Sequence, residues 1–450
     1  MNDYQRREFS EKKEEFQEIV AELTKPLGKP SKKLKIWIGF LLFIIGMATI
    51  SYINQIVNGL SVTDMRDISS WGLYIADFVF LIAVSLIGSL ITAILKLANI
   101  KWATPLTRIS EIIAVGGLIA ALLIIVVDMG RPDRLWHIFI YGRLQSPILW
   151  DIIVVNTYLI ISILLLYLPL IPDIAIMRKN EIGKSTRMEK IYKILSLGWQ
   201  GSDDQHKLLK KGLAVLMIII IPVAFSIHTV TSWLFASTLR IGWDSTIFGP
   251  YFVSGAFMVG TAAVITAMYI IRWQYKYENY ITDYHFNMLG KLLVLTSLLY
   301  LYFNLNEYLV PAYKIKSHEG DHLSALFTGD FSTMFWFVQL GGMILPIILM
   351  IFKFFRKPLP IFFISIAIIL GAFFKRFLII TPTLLHPFLP IQNYPDSYRH
   401  YTPTIAECMI TFGSIAGVLL IITLFIRIFP IIPIAETAHD REISNEIINS

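Results

Sequence analysis

The sequence predicts an all-α integral membrane protein. About ten transmembrane helices are expected, arranged as two four-helix bundles plus flanking helices. Two observations carry the membrane class and the number of spans. Only 16% of the 450 residues are charged and 55% are hydrophobic, whereas soluble domains carry roughly 25% charged residues. The apolar residues also fall in runs, such as 36–57, 213–225 and 405–426, that reach or approach the roughly 20 residues of helix needed to cross a bilayer. This excludes a soluble domain, and it excludes disorder, which requires low hydrophobicity. Cys408 is the single cysteine, so a disulfide framework, a Cys-ligated iron–sulfur cluster and a CxxCH haem attachment are excluded as well. The net charge of +7 fits basic loops at a membrane surface better than a nucleic-acid partner.

Taken in order, residues 1–34 form a tail of mixed charge with no small-residue cleavage site after the first apolar run, so span one reads as a signal anchor. Within this tail, 9–23 is either a surface helix with i,i+4 charge pairs or a solvated segment. Residues 35–428 form the membrane domain. Its spans are expected at 35–58, 71–97, 108–127, 148–171, 213–238, 251–272, 287–309, 332–353, 359–381 and 404–428. The longest connection, 172–212, contains a segment at 188–195 patterned like an interfacial helix. Residues 429–450 form a C-terminal tail. Ten spans put both termini on one face. That face carries 28 of the 39 Lys and Arg residues and the opposite face 8, with Lys291, Lys375 and Arg376 inside spans. By the positive-inside rule both termini are expected in the cytoplasm and the chain in the cell (inner) membrane.

Ionisable groups within a bilayer are costly and point to function. Here they crowd the half opposite the termini: Asp77 on span two, Asp151 opening span four, His228 on span five, Glu307 on span seven, Lys375 and Arg376 on span nine, and Glu407 opening span ten. Glu407 is expected to pair structurally with Arg376 or Lys375. Only His228 among the histidines lies deep within a span, which argues against facing haem ligands. Three outer loops add polar and aromatic rims. The first, 128–151, is broken by Gly130 and Pro132 and carries Arg131, Arg134, Trp136, His137 and Trp150, with Pro147 suited to the start of span four. The second is 242–250 and the third 384–390.

At these residues the chain resembles the NrfD/PsrC family, the quinone-reactive membrane subunits of respiratory complexes. "DMGRPDRLW" (128–136) resembles the family's [DH]-x-G-R-P signature, and "SPILWD" (146–151) its S-P-x-x-W-D. Within the family the chain looks most similar to the ten-span branch of alternative complex III, through "IPVAFSIHTVTSWLFA" (221–236), "GWDSTIFGPYFVSGA" (242–256), "ITDYHFNMLGKL" (281–292), "KRFLIITPTLLHPFLP" (375–390), "LIPDIA" (170–175) and "LGWQGS" (197–202). The resemblance covers about 35–435. Two departures stand out in span two: Asp77 occupies a position where that branch commonly has Asn, and 85–88 lacks its usual His. In span nine, Lys375 replaces an acidic residue.

The resemblance implies a periplasm-facing iron–sulfur partner, with a c-type cytochrome or molybdopterin subunit beyond it. It also implies exchangeable menaquinone or ubiquinone, with no haem or iron–sulfur group bound by this chain. Quinol oxidation releases two electrons and two protons, so the site needs a proton acceptor. His228 or Asp151 is expected as first acceptor, with Asp77 as relay or second ligand. Arg131, Trp136, His137, Trp150 and Trp233 are expected to complete the quinone-binding rim, Arg131 and His137 by fixing the loop and partner interface. A variant adds proton translocation through Glu111, Lys291, Asn304, Asn306 and Glu307; Lys291 and Glu307 lie roughly 24 Å apart along one helix. The rival readings are a secondary transporter and a purely structural membrane anchor.

Overall fold

The computed structural model describes residues 3–180, 182, 186–314, 317–387, 393, 395–444 and 447–448. Among the described residues, ten helices are long and apolar enough to cross a membrane. Span one is Lys32–Asn58, span two Leu73–Leu97, span three Thr104–Asp128, span four Pro147–Tyr167 and span five Asp203–Ala236. Span six is Phe248–Tyr275, span seven Asp283–Lys314, span eight Ser332–Ile351, span nine Pro358–Leu385 and span ten Ile405–Ile428.

Local chemistry sets the ends. Ser202 and Gln205 form a capping box that starts span five about ten residues before its apolar run, so a charged turn projects beyond the expected span. Thr404 and Glu407 form a second box at span ten. Pro147 and Pro358 sit at first helical positions, where a missing N–H costs nothing. Gly130, with φ +64°, ends the turn after span three.

Spans two to five pack as one four-helix bundle and spans six to nine as a second. The bundles meet where spans two and five lie against spans six and nine. Spans one and ten pair with each other and flank the first bundle along span three. Span eight meets span nine through Gly342 and Gly371, where a Cβ on either would fall within 2.7 Å of the other's Cα; small residues let two membrane helices approach this closely. The middle of span eight, Phe337–Ile344, is a π-helical segment with no apolar-pattern signature in the sequence. It aims Gln339 into the second bundle, where it meets Asn304.

The tails are folded. In the helix Asp3–Leu23, the apolar positions Phe16, Ile19, Val20 and Leu23 are buried at helical spacing. This helix lies against the C-terminal helix Ile434–Asp440: Lys12 Nζ donates to the Arg441 carbonyl at 2.9 Å, and Arg441 pairs with Glu15. The two termini therefore share one face, here called the terminus face. The long connection is also structured. Leu170–Lys179 is a buried helix, and Thr186–Leu195 packs Tyr192 against Leu170, Ile174 and Met177. The end of the third rim, 388–390, lies outside the described residues.

Candidate functional site

In the first bundle, toward the far face, spans four and five bring Asp151, His228 and Thr231 together. Asp151 lies in the first turns of span four and is buried; its Oδ1 accepts from Thr231 Oγ1 at 2.5 Å. Thr231 lies one helical turn beyond His228, so both point from one face of span five. His228 is 1% exposed, has the Ile82 backbone as a hydrogen-bond partner, and leaves Nε2 buried without one among the described residues. An orphaned buried nitrogen, one helical turn from the threonine that holds Asp151, is a fit for a ligand that brings its own hydrogen-bonding groups. Trp150 and Trp233 meet edge to face, ring centroids 6.4 Å apart, and both are partly exposed. Trp71, Phe235 and Trp243 close the far-face end between the bundles. Trp243, from the second predicted rim, turns fully inward and donates to the Ile379 carbonyl at 2.6 Å.

The first rim is exposed. Arg131 pairs with Asp133 at 3.2 Å, and both are open to solvent. Trp136 stacks edge-on against His137 at 4.0 Å. Phe139, Ile140, Tyr141 and Leu144 are largely exposed, so this loop presents an apolar surface rather than lining the Asp151–His228 pair.

Asp77 stands apart from that pair. Its Oδ2 accepts from Ser414 of span ten at 2.6 Å, and its Oδ1 has no partner among the described residues. The same flank holds Asp128, the first residue of the GRP-type motif, whose Oδ1 is likewise buried and unpartnered among the described residues. Nearby, Tyr74 donates to Gln55 Oε1 at 2.8 Å and Gln55 to the Val127 carbonyl at 2.8 Å. The sequence does not single out Asp128 as a site residue, because it closes a helix at a loop, where an ordinary solvated carboxylate is equally expected.

The expected Arg376–Glu407 pair does not form, nor does a Lys375–Glu407 pair. Glu407 Oε2 instead accepts from the Asp64 and Thr404 backbone N–H groups at 3.1 and 2.9 Å, and Oε1 from the Tyr401 hydroxyl. Backbone donors at a helix start satisfy the carboxylate without a cation. Lys375 pairs with Glu307, Nζ to Oε2 at 2.7 Å, and also meets the Tyr308 hydroxyl. Arg376 Nη1 donates to Tyr300 at 3.4 Å and its guanidinium lies over Phe252. Tyr251 donates to Glu307 at 2.8 Å and to Asn304 at 3.2 Å, and Asn304 donates to Gln339 at 2.7 Å.

The expected proton-path residues are not gathered along one line. Asn304 and Glu307 belong to this second-bundle network. Asn306 donates to the Tyr302 carbonyl from an exposed position, and Lys291 faces outward from span seven, as a snorkelling lysine does. Glu111 is buried in the first bundle near the terminus face.

Around Glu111 lies a cluster that sequence reasoning misses. Arg108 and Asp173, both fully buried, pair at 2.8 Å, and Asp173 also accepts from the Ile434 and Ala435 N–H groups at the start of the C-terminal helix. Lys96 pairs with Glu436 at 2.8 Å. Its one signal in the sequence is Asp173 inside "LIPDIA". At the far face, His322 is buried beside His386, rings 6.0 Å apart. Burial, with the His386 ring and the Lys375 ammonium, holds its pKa down at about 3. Among the described residues no three His, Cys, Asp or Glu side chains are arranged to hold a metal ion.

Fold and site together define an integral membrane protein built on two four-helix bundles, with buried acid–base groups toward one face. The chain belongs to the NrfD polysulphide reductase family, whose model matches residues 61–387. It is 25% identical over 413 residues to a selenate reductase subunit of Mesobacillus selenatarsenatis, covering 88% of this chain and 94% of that protein. It is 22% identical over 435 residues to the integral membrane subunit of menaquinone reductase from Nitratidesulfovibrio vulgaris, covering 89% and 92%. It is 23% identical over 377 residues to an Hdr-like menaquinol oxidoreductase integral membrane subunit of Archaeoglobus fulgidus, covering 81% and 85%.

Proposed function

We propose that this chain is the quinol-binding membrane subunit of a respiratory oxidoreductase, exchanging electrons between the membrane quinone pool and an extrinsic iron–sulfur subunit. The observation that carries the reading is the buried Asp151–Thr231 pair beside the unpartnered Nε2 of His228. Quinone-linked activities in the names of two relatives support it. These relatives, together with the selenate reductase subunit, favour a reductase-linked complex using menaquinol over the alternative complex III branch.

A bound quinol supplies two electrons and two protons. His228 Nε2 and the Asp151 carboxylate take the protons, and Thr231 fixes the carboxylate's orientation. Trp150 and Trp233 wall the site. Asp77 anchors span ten through Ser414 and stands outside the Asp151–His228 site. The exposed apolar loop at 139–144 receives the extrinsic partner, with Arg131, Trp136 and His137 fixing its shape; a c-type cytochrome or molybdopterin subunit lies beyond. The 28 to 8 charge asymmetry supports cytoplasmic termini in the inner membrane and a periplasmic far face. Reporter fusions after Ile100, Gly201 and Phe355 are expected to report cytoplasm, and those after Gly142 and Asp321 the outside; the inverse pattern overturns the sidedness. The function is tested by quinol oxidation in assembled complexes carrying His228→Ala or Asp151→Asn. Each is expected to lose activity by roughly 10²–10⁴; parent-like rates in both would move the site elsewhere.

A further inference from the structure

The two bundles touch where spans two and five lie against span six and span two lies against span nine. The Arg376 guanidinium lies within electrostatic reach of the His228 imidazole. Each of these side chains carries one buried nitrogen without a partner among the described residues, His228 Nε2 and Arg376 Nε. Such orphaned groups are ordinarily met by ligand or ordered water.

From Arg376 a continuous hydrogen-bonded line leads away through the second bundle. Arg376 Nη1 donates to Tyr300 Oη at 3.4 Å, Tyr300 Oη to Tyr251 Oη at 3.2 Å, and Tyr251 Oη to Glu307 Oε2 at 2.8 Å. The two tyrosine rings stack nearly parallel, 4.9 Å apart, which fixes their hydroxyls in register. Gly255 makes room for the line: a Cβ there would fall 2.8 Å from Arg376 Nη2 and 2.7 Å from the Tyr300 ring. At its far end Glu307 opens onto a crevice that it lines with Tyr308, Glu319 and His322. Glu319 Oε2 in that crevice is unpartnered among the described residues. Lys375 Nζ pairs with Glu307 Oε2 at 2.7 Å and fixes the position of that oxygen. Apolar side chains of similar volume are often as stable as a buried ion pair, so packing does not by itself call for this network.

We infer that the line Tyr300–Tyr251–Glu307 is the outlet by which a proton taken up at His228 leaves the membrane through the second bundle. This rests on the quinol reading above. Oxidation of one quinol yields one quinone, two protons and two electrons, and the electrons pass to the extrinsic iron–sulfur partner. The proton on His228 Nε2 crosses through water held at Arg376 Nε to Tyr300 Oη. Tyr300 passes its own hydroxyl proton to Tyr251, and Tyr251 passes its own to the Glu307 carboxylate. Glu307 then releases a proton into the crevice, and each hydroxyl ends protonated as it began. Arg376 keeps its charge throughout and acts as a positioning residue. The second proton, on Asp151, leaves separately.

The test uses the intact complex with a soluble quinol analogue and an artificial electron acceptor, in H2O and D2O. Tyr251→Phe and Tyr300→Phe keep the rings and remove only the relay hydroxyls. Each is expected to lower kcat per assembled complex by roughly 10²-fold or more, to leave KM for the quinol unchanged and to raise the solvent isotope effect. A packing role alone would lower the yield of complex without moving the isotope effect. If either variant fails to assemble, the other carries the test. Parent-like kcat and isotope effect in the tyrosine variants, with His228→Ala inactive, would overturn the outlet alone. An active His228→Ala would overturn the quinol reading beneath it.

Discussion

The two bundles treat their buried carboxylates differently. In the first, Asp151 and Asp77 each accept from a single side chain, Thr231 and Ser414 respectively, and His228 Nε2 and Asp77 Oδ1 have no partner among the described residues. In the second, Glu307 is held by the Lys375 ammonium and the Tyr251 hydroxyl together. A buried polar atom left unpaired costs free energy, so each one needs a structural or functional reason, an ordered water or a ligand among them. A fully partnered charge marks a fixed element of the scaffold or a defined relay. The contrast teaches that the count of buried charges says less than their state of pairing.

Lys375→Met sharpens the comparison with the largest stability effect. It leaves the largely shielded Glu307 without its cation, a loss of up to roughly 3–5 kcal/mol, and the assembled complex is expected to lose yield and thermal stability. A variant that assembles and melts like the parent would show that the pair is not held as described. A smaller effect is expected from His322, which burial holds neutral beside His386, Lys375 and the crevice carboxylates Glu307 and Glu319. Its folded pKa of about 3 lies below the ordinary histidine value of 6.5, so the unfolded chain binds more protons between those values. Stability contributed by neutral His322 is therefore present above pH 6.5 and lost as pH falls toward 3. His322→Gln should flatten the fall in melting temperature with acid over that window; an unchanged slope would contradict the burial.

Much of this architecture is legible in the residues. Ten apolar runs correspond to ten spans because bilayer thickness fixes helix length, and the far-face bias of Asp151, His228 and Glu307 follows from counting residues along those runs. What escapes depends on rotation about helix axes and on partners distant in sequence. Glu407 and Arg376 lie in the same half of the membrane, yet Glu407 turns toward backbone donors at Asp64 and Thr404. Asp77 shares that half with His228, yet points to span ten. The π segment at Phe337–Ile344 shifts Gln339 off the regular helical phase, which no periodicity could reveal. Arg108–Asp173 joins residues 65 positions apart, and the docking of the tails rests on Phe16, Ile19, Val20 and Leu23, whose spacing is equally compatible with a surface helix.

The central claim is that the reactive carboxylate of the first bundle is the one on span four. Quinol oxidation per assembled complex, compared between Asp151→Asn and Asp77→Asn, tests it most directly, because both substitutions keep shape and remove one acid group. The account predicts a loss of roughly 10²–10⁴ for Asp151→Asn, with a parent-like rate for Asp77→Asn. A parent-like rate for Asp151→Asn, with the loss falling on Asp77→Asn, would contradict it and place the chemistry against span ten.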